Sequence, residues 1–226
     1  MSEVAKSLSK CERPLNSYLN LSFCDVSQED EANLQDLIDE CGSLKISNSY
    51  SKTGFSRIFE RTKNRIEHLE LFGIDFRDEG QIVKILTSSS NVKSLNLSGL
   101  NVATHSYNNS LIPTTIIAFP NLVKLDLSSN SSWISDQNWV QMLKGLEKLE
   151  ELIMNETNTN AVFESDWLPS LSSFSSRGSD LNWDSIFEMF SISEQISRID
   201  VRFSTCPSIL PQELLHGNPR ITEILY

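Results

Sequence analysis

Residues 66–76 are IEHLELFGIDF, residues 92–102 are VKSLNLSGLNV and residues 122–130 are LVKLDLSSN. Each stretch has apolar residues at its first, fourth and sixth positions. Further stretches with this spacing, or a weaker form of it, begin at Asn16, Cys41, Leu149, Leu171, Ile196 and Ile221. Successive sixth positions are separated by 22 to 30 residues, and a period of this length indicates a solenoid of stacked repeats.

Each repeat contains the pattern of a short strand, and several continue into the pattern of an amphipathic helix. The apolar fourth and sixth positions alternate with polar residues, which is typical of a strand with one buried face. Apolar residues at helical spacing follow in three segments, which are residues 29–42, 78–90 and 183–193. Ser27, Asp78 and Asp184 are the predicted N-caps of these helices. One strand and one helix cannot bury their apolar sides alone, so the sequence predicts a stack with a parallel sheet inside and helices outside.

The chain resembles the leucine-rich repeat superfamily, and residues 66–86 (IEHLELFGIDFRDEGQIVKIL) are most similar to its ribonuclease-inhibitor-like and cysteine-containing types. The resemblance implies an α/β horseshoe-shaped solenoid of about nine repeats over residues 16–226, with a parallel concave sheet and convex helices. Residues 1–15 are expected to form an N-terminal tail or a short cap. The resemblance also implies substrate recognition or an adaptor role within a ubiquitin-ligase or comparable assembly.

The longest repeats contain two insertions, residues 101–121 and residues 128–139. Pro113 and Pro120 frame a predicted short helix around Thr114–Phe119, and the serine and asparagine clusters are predicted loops. Such loops either belong to a binding surface or reflect neutral variation in length.

The composition limits the class of partner. The 226 residues carry a formal net charge of −11, and this acidity argues against duplex nucleic acid, whose phosphates require a clustered basic face. No apolar run is long enough to span a membrane, and the first residues lack the apolar stretch of a secretory signal. We therefore expect a cytoplasmic or nuclear protein whose four scattered cysteines are reduced.

The sequence contains no motif for catalysis, a cofactor or a metal. His68, His105 and His216 have no cysteine, histidine or carboxylate at metal-ligand spacing, and no nucleotide-binding loop or hydrolase motif is present. His68 with Glu67 and Glu70 forms either a proton-transfer pair or, as the pattern favours, a solvated surface group. The chain is therefore predicted not to be an enzyme.

Residues that flank the buried strand positions are predicted to align in columns on the exposed face of the sheet, where a protein partner would bind. The candidate residues at the N-terminal end are Tyr18, Phe23 and Phe72, those at the C-terminal end are Arg177, Arg198, Arg202 and Phe203, and those between are His68, Glu70, Lys124 and Asp126. Aromatic residues and arginine are enriched among interface hot spots. The alternative is that the phenylalanines fold back onto neighbouring loops.

Other features leave the function open. The acidic run Glu29–Glu31 is either a solvated helix face or a dock for a basic partner. The chain stops inside its last predicted strand, at Tyr226, so a partner or self-association covers that edge, the chain is a fragment of a larger structural protein, or the open edge is tolerated. Resemblance also implies a rival function, activation of a small GTPase.

Overall fold

The computed structural model describes residues 17–39, 41–51, 55, 58–59, 65–103, 111–130, 134–164, 166–207 and 210–226. The predicted N-terminal tail or cap, residues 1–15, lies outside these residues. The strands are β1 (Ser17–Asn20), β2 (Asp25–Val26), β3 (Cys41–Ser47), β4 (Tyr50–Ser51), β5 (His68–Phe72), β6 (Asp75–Phe76), β7 (Ser94–Asn96), β8 (Asn101–Val102), β9 (Lys124–Asp126), β10 (Glu151–Ile153), β11 (Asn158–Thr159), β12 (Ser173–Ser175), β13 (Asp180–Leu181), β14 (Arg198–Asp200) and β15 (Glu223–Leu225). The helices are α1 (Gln28–Ile38), α2 (Glu79–Thr87), α3 (Ile112–Ile117), α4 (Asp136–Lys144), α5 (Trp183–Ile192) and α6 (Leu210–Gly217).

One parallel sheet runs through the described chain. Its strand order is β1-β3-β5-β7-β9-β10-β12-β14-β15, so each strand pairs with the strand of the next repeat. Three short parallel pairs, β2–β4, β6–β8 and β11–β13, form a second set of contacts between repeats. The predicted α/β solenoid with a parallel sheet is confirmed.

The apolar positions of the repeat form one continuous core. In β5, Leu69 and Leu71 are fully buried while His68 and Phe72 are exposed. Most apolar side chains of α2 and α5 are buried in the same cluster, so these helices cover the buried face of the sheet. In the serine-rich repeat, Phe174 takes the place of a leucine, and its ring meets Phe190 edge to face at a centroid distance of 5.1 Å.

The helix starts follow the predicted capping residues in two cases out of three. Ser27 accepts from the Asp30 backbone N–H in a capping box, and Asp78 accepts from the Gln81 N–H. The prediction for Asp184 is wrong, because Asn182 caps α5 by accepting from the Ser185 N–H. Asp184 lies instead in the first turn of that helix.

The insertions are more regular than the sequence suggested. The second insertion contains the start of α4, which Ser135 caps and whose Trp139 is buried. Helix α3 begins two residues before the predicted Thr114. Pro113 is tolerated in the first turn because N–H groups at that position make no hydrogen bond within the helix, so the N–H that proline lacks is not needed. Residues 104–110 and 131–133, which include much of the predicted loops, lie outside the described residues.

Candidate partner-binding surface

The sheet has one face turned away from the core, which we call the open face. The strand register aligns its side chains in columns that cross the whole sheet. The first column contains Tyr18, Ser43, His68, Ser94, Lys124, Glu151, Ser173, Arg198 and Glu223. The second contains Asn20, Lys45, Glu70, Asn96, Asp126, Ile153, Ser175, Asp200 and Leu225. Residues distant in sequence therefore become lateral neighbours on a continuous surface.

Charged residues on the open face are paired across neighbouring strands. Lys45 Nζ lies 2.8 Å from Glu70 Oε2, and Lys124 Nζ lies 2.9 Å from Glu151 Oε2. The hydrogen bond to Glu70 raises the pKa of Lys45, which outweighs the opposing effect of burial. Each partly exposed pair contributes about 0–1 kcal/mol to stability, so its main effect is to fix side-chain positions and cancel local charge.

His68 lies between two carboxylates that are engaged by lysines. Glu67 is 3.0 Å from Lys93 Nζ, and Glu70 is held by Lys45. The His68 side chain is exposed at the surface of β5. This arrangement fits a solvated surface histidine better than a proton-transfer pair.

The arginines near the C-terminal end surround one carboxylate. Arg202 binds Asp200 with two hydrogen bonds, Nε to Oδ1 at 3.0 Å and Nη2 to Oδ2 at 2.8 Å, and Arg177 Nε is 3.8 Å from Oδ2. Burial alone would raise the pKa of the Asp200 carboxyl, but the hydrogen bonds and charges of the arginines lower it below its ordinary value. The interaction with Asp200 raises the pKa of Arg202 in turn.

The predicted basic patch is therefore partly neutralised. Arg198 Nε lies 3.0 Å from Glu223 Oε2, which leaves Asp200 to be shared by Arg177 and Arg202. Asp200 was not among the predicted binding residues, although its position two residues before Arg202 is a usable signal for such a contact.

Asp126 has a structural role that the sequence did not suggest. Its Oδ1 accepts from the Ser128 backbone N–H at 3.0 Å and from Ser128 Oγ at 2.7 Å. Asn96 makes the same two contacts with Ser98, at 2.9 and 2.7 Å. These side chains close the turn after the strand, as aspartate and asparagine commonly do.

Four aromatic side chains project from the open face or its edge. Tyr18 is 55% exposed and Phe72 is 41% exposed, with the Phe72 ring beside the turn at Gly99. Phe23 and Phe203, at 80% and 90% exposure, do not fold back onto neighbouring loops. Exposed apolar groups that lie close to one another are typical of interaction sites, and Tyr18, Phe23 and Phe72 lie near one another at one end of the sheet.

The acidic run in α1 is not simply a solvated face. Asp30 belongs to the capping box with Ser27, and its Oδ2 accepts from Ser27 Oγ at 2.7 Å. Glu31 is fully buried, and its carboxylate accepts from the Ser51 hydroxyl. The run therefore serves the packing of the first repeats as well as the surface.

Within the described ranges, no group of three or more histidine, cysteine, aspartate or glutamate side chains could hold a metal ion. No helix in that part of the chain is both long and apolar enough to cross a membrane.

Solved structures match this chain in fold. An internalin (inlF) from Listeria monocytogenes matches with a TM-score of 0.57 and 13% identity, over 86% of this chain and 50% of its own. An internalin C2 (inlC2) from the same organism gives 0.56 and 12%, over 93% and 79%. A leucine-rich repeat protein from Leptospira interrogans gives 0.50 and 14%, over 99% and 63%. The fold is that of the leucine-rich repeat proteins.

At these identities the likeness concerns the fold alone. The chain spans half the length of the first internalin and 63% of the Leptospira protein. No protein-family model and no curated protein matches the sequence.

The sheet places the aromatic and arginine candidates toward its two ends, with His68, Glu70, Lys124 and Asp126 on strands between them. Arg177, Arg198 and Arg202 lie together at β14 and the turns beside it, next to Phe203, while Tyr18 and Phe23 lie at β1. Strands are about 4.8 Å apart, so β1 and β14, seven strand spacings apart, are separated by roughly 34 Å along the sheet. A ligand that contacts both groups must be the size of a protein segment or domain.

Proposed function

We propose that this chain is a non-catalytic protein-recognition scaffold whose partner lies across the open face of the sheet. The observation that carries the proposal is the set of exposed aromatic side chains at both ends of a face on which most charged side chains are paired with a neighbouring strand. Burial of the aromatic groups against a partner contributes free energy of binding, and the charged side chains around them contribute specificity.

A narrower proposal is that the chain is an adaptor or substrate-recognition subunit of a larger assembly, acting in the cytoplasm or nucleus. Helices of 8 to 11 residues cover the opposite side of the sheet at α1, α2, α4, α5 and α6, which leaves a second surface for another subunit. These full helices also support the ribonuclease-inhibitor-like type of repeat. The free thiols of Cys24 and Cys206 support a reducing compartment.

The proposal is tested by affinity purification from lysate of the native cells with two matched baits. The first bait carries Tyr18→Ser with Phe72→Ser on the open face. The second carries Val162→Ser with Ile192→Ser, which removes equally exposed apolar groups away from the sheet. We expect the first bait to lose partners that the wild type and the second bait retain, with unchanged circular dichroism in all three. Loss of partners by the second bait alone would contradict the proposal.

A further inference from the structure

Eight strands of the main sheet are each followed by a turn that contains a residue with a left-handed backbone. This row of residues, which we call the turn row, lies directly after those strands, and its φ angles are between 47° and 65°. Its members are Phe23, Asn48, Gly73, Gly99, Ser129, Glu156, Gly178 and Phe203. From Phe23 to Gly178, each backbone N–H donates to a carbonyl of the next repeat, at 2.8–3.1 Å. The left-handed conformation is therefore part of the repeat geometry.

Phenylalanine is a poor choice for this position. A left-handed backbone brings the Cβ of an L-residue too close to the following carbonyl, which glycine avoids and asparagine tolerates. Gly73, Gly99 and Gly178 meet the requirement without strain. Phe23 and Phe203 adopt the same conformation with a full aromatic side chain.

Folding gives no compensation for this strain at Phe203. Its side chain is 90% exposed, so it buries almost no apolar surface in the free chain. A strained backbone and an exposed ring at one residue point to a contact made outside the chain, because bound partners are where such strain is commonly used.

The charged side chains beside Phe203 indicate which charge the partner carries. Arg177 and Arg202 share the single carboxylate of Asp200, and the Arg177 contact is the longer one at 3.8 Å. Arg198 is matched by Glu223. Glu156, on the preceding turn, accepts from Ser129 Oγ at 2.9 Å. Among the described ion pairs of this cluster, three guanidinium groups therefore face two carboxylates, and Arg177 has the weakest pairing.

We propose that Phe203, Arg177 and Arg202 form a docking site for an acidic protein segment. One aspartate or glutamate of the segment pairs with the arginines, and an apolar side chain next to it packs on the Phe203 ring. Arginine provides five donors, so Arg177 and Arg202 can donate hydrogen bonds to a second carboxylate while they keep those to Asp200. The inference rests on the proposed recognition function and adds the chemistry of the partner at one end of the open face.

The experiment uses a displayed library of random dodecapeptides, selected on the full chain. We expect selected peptides to carry an aspartate or glutamate next to an aromatic or aliphatic residue. Synthetic copies of these peptides, followed by fluorescence anisotropy, should bind Phe203→Gly and Arg177→Gln roughly tenfold or more weakly than the wild type. Their affinity should also fall as salt is raised.

The glycine variant separates binding from folding. Phe203→Gly relieves the left-handed strain, so its thermal midpoint should equal or exceed that of the wild type, and weaker binding cannot be due to unfolding. Asn48→Gly is the matched control, because it introduces glycine at another exposed left-handed position of the turn row, outside the candidate binding residues, and should leave peptide affinity unchanged.

The inference is overturned if no peptide is selected, if the selected peptides lack acidic residues, or if they bind Phe203→Gly as tightly as the wild type. Peptides that instead lose affinity for the Tyr18→Ser, Phe72→Ser variant would overturn this site and leave the recognition function in place.

Discussion

Three buried polar side chains tie neighbouring repeats together, each by the same pair of hydrogen bonds. Asn130 donates from Nδ2 to the Leu97 carbonyl at 2.6 Å and accepts at Oδ1 from the Leu100 N–H at 3.0 Å. Ser49 and Ser179 each donate to the corresponding carbonyl of the preceding repeat and accept the corresponding N–H, at 2.5 to 3.1 Å. A hydroxyl or an amide can therefore fill this place, since each offers a donor and an acceptor.

Removing the Asn130 side chain should be costly. Asn130→Ala leaves the Leu97 carbonyl and the Leu100 N–H without these partners in the interior, which we expect to lower the free energy of unfolding by about 1–3 kcal/mol. Urea unfolding measures the effect. The control is Asn101→Ala, at an exposed strand position, and equal losses in the two variants would contradict the assigned role.

The carboxylate of Asp200 should stabilise the chain in a pH-dependent way. Its pKa is lowered in the folded state, so its contribution is present above the ordinary aspartate pKa of about 3.9 and is lost as pH falls through the lower, folded-state value. We expect Asp200→Asn to reduce the free energy of unfolding by about 1–3 kcal/mol at pH 7. The difference from wild type should shrink below about pH 4.

Urea unfolding at pH 7, 5 and 3 tests this behaviour. Glu223→Gln is the control, because the exposed pair with Arg198 is worth about 0–1 kcal/mol. A difference between Asp200→Asn and wild type that stays constant over this range would contradict the account.

At the scale of single elements, Asn182 and Asp184 are the two residues near the start of α5 that could cap it, and we expect their substitutions to differ in cost. Asn182→Ala removes a side chain that accepts from the Ser185 N–H and should cost about 1 kcal/mol of stability. Asp184→Ala removes a charge in the first turn, and its weaker interaction with the helix dipole is worth about 0.3 kcal/mol. Thermal unfolding of the two variants tests this order, and the reverse order would show that Asp184 is the cap.

The elements that the sequence predicts are those with long apolar periodicity. The parallel strands and helices α2 and α5 follow from it. The sequence pattern does not predict helix α4, because serines and asparagines fill the segment before Trp139 and the pattern places that segment in an insertion. The short pairs such as β6–β8 could not be predicted, since two residues carry no alternation.

At the scale of the whole molecule, the repeat fixes which residues become neighbours but not what their side chains do. The columns of the open face follow from the period, because parallel strands in register stack equivalent positions. The sharing of Asp200 by Arg177 and Arg202 depends on long side chains whose conformations the period does not determine. The glycines at the equivalent positions 73, 99 and 178 indicate a left-handed backbone at Phe203, although the phenylalanine itself does not indicate one.

Covalent labelling by hydroxyl radicals tests the central claim, that a partner lies across the open face. In the free chain, Tyr18, Phe72, Val162 and Ile192 are all exposed and should be labelled. In the complex with a captured partner, we predict that labelling of Tyr18 and Phe72 falls while Val162 and Ile192 keep theirs. Protection of Val162 and Ile192 with unchanged labelling of Tyr18 and Phe72 would place the partner elsewhere and contradict the account.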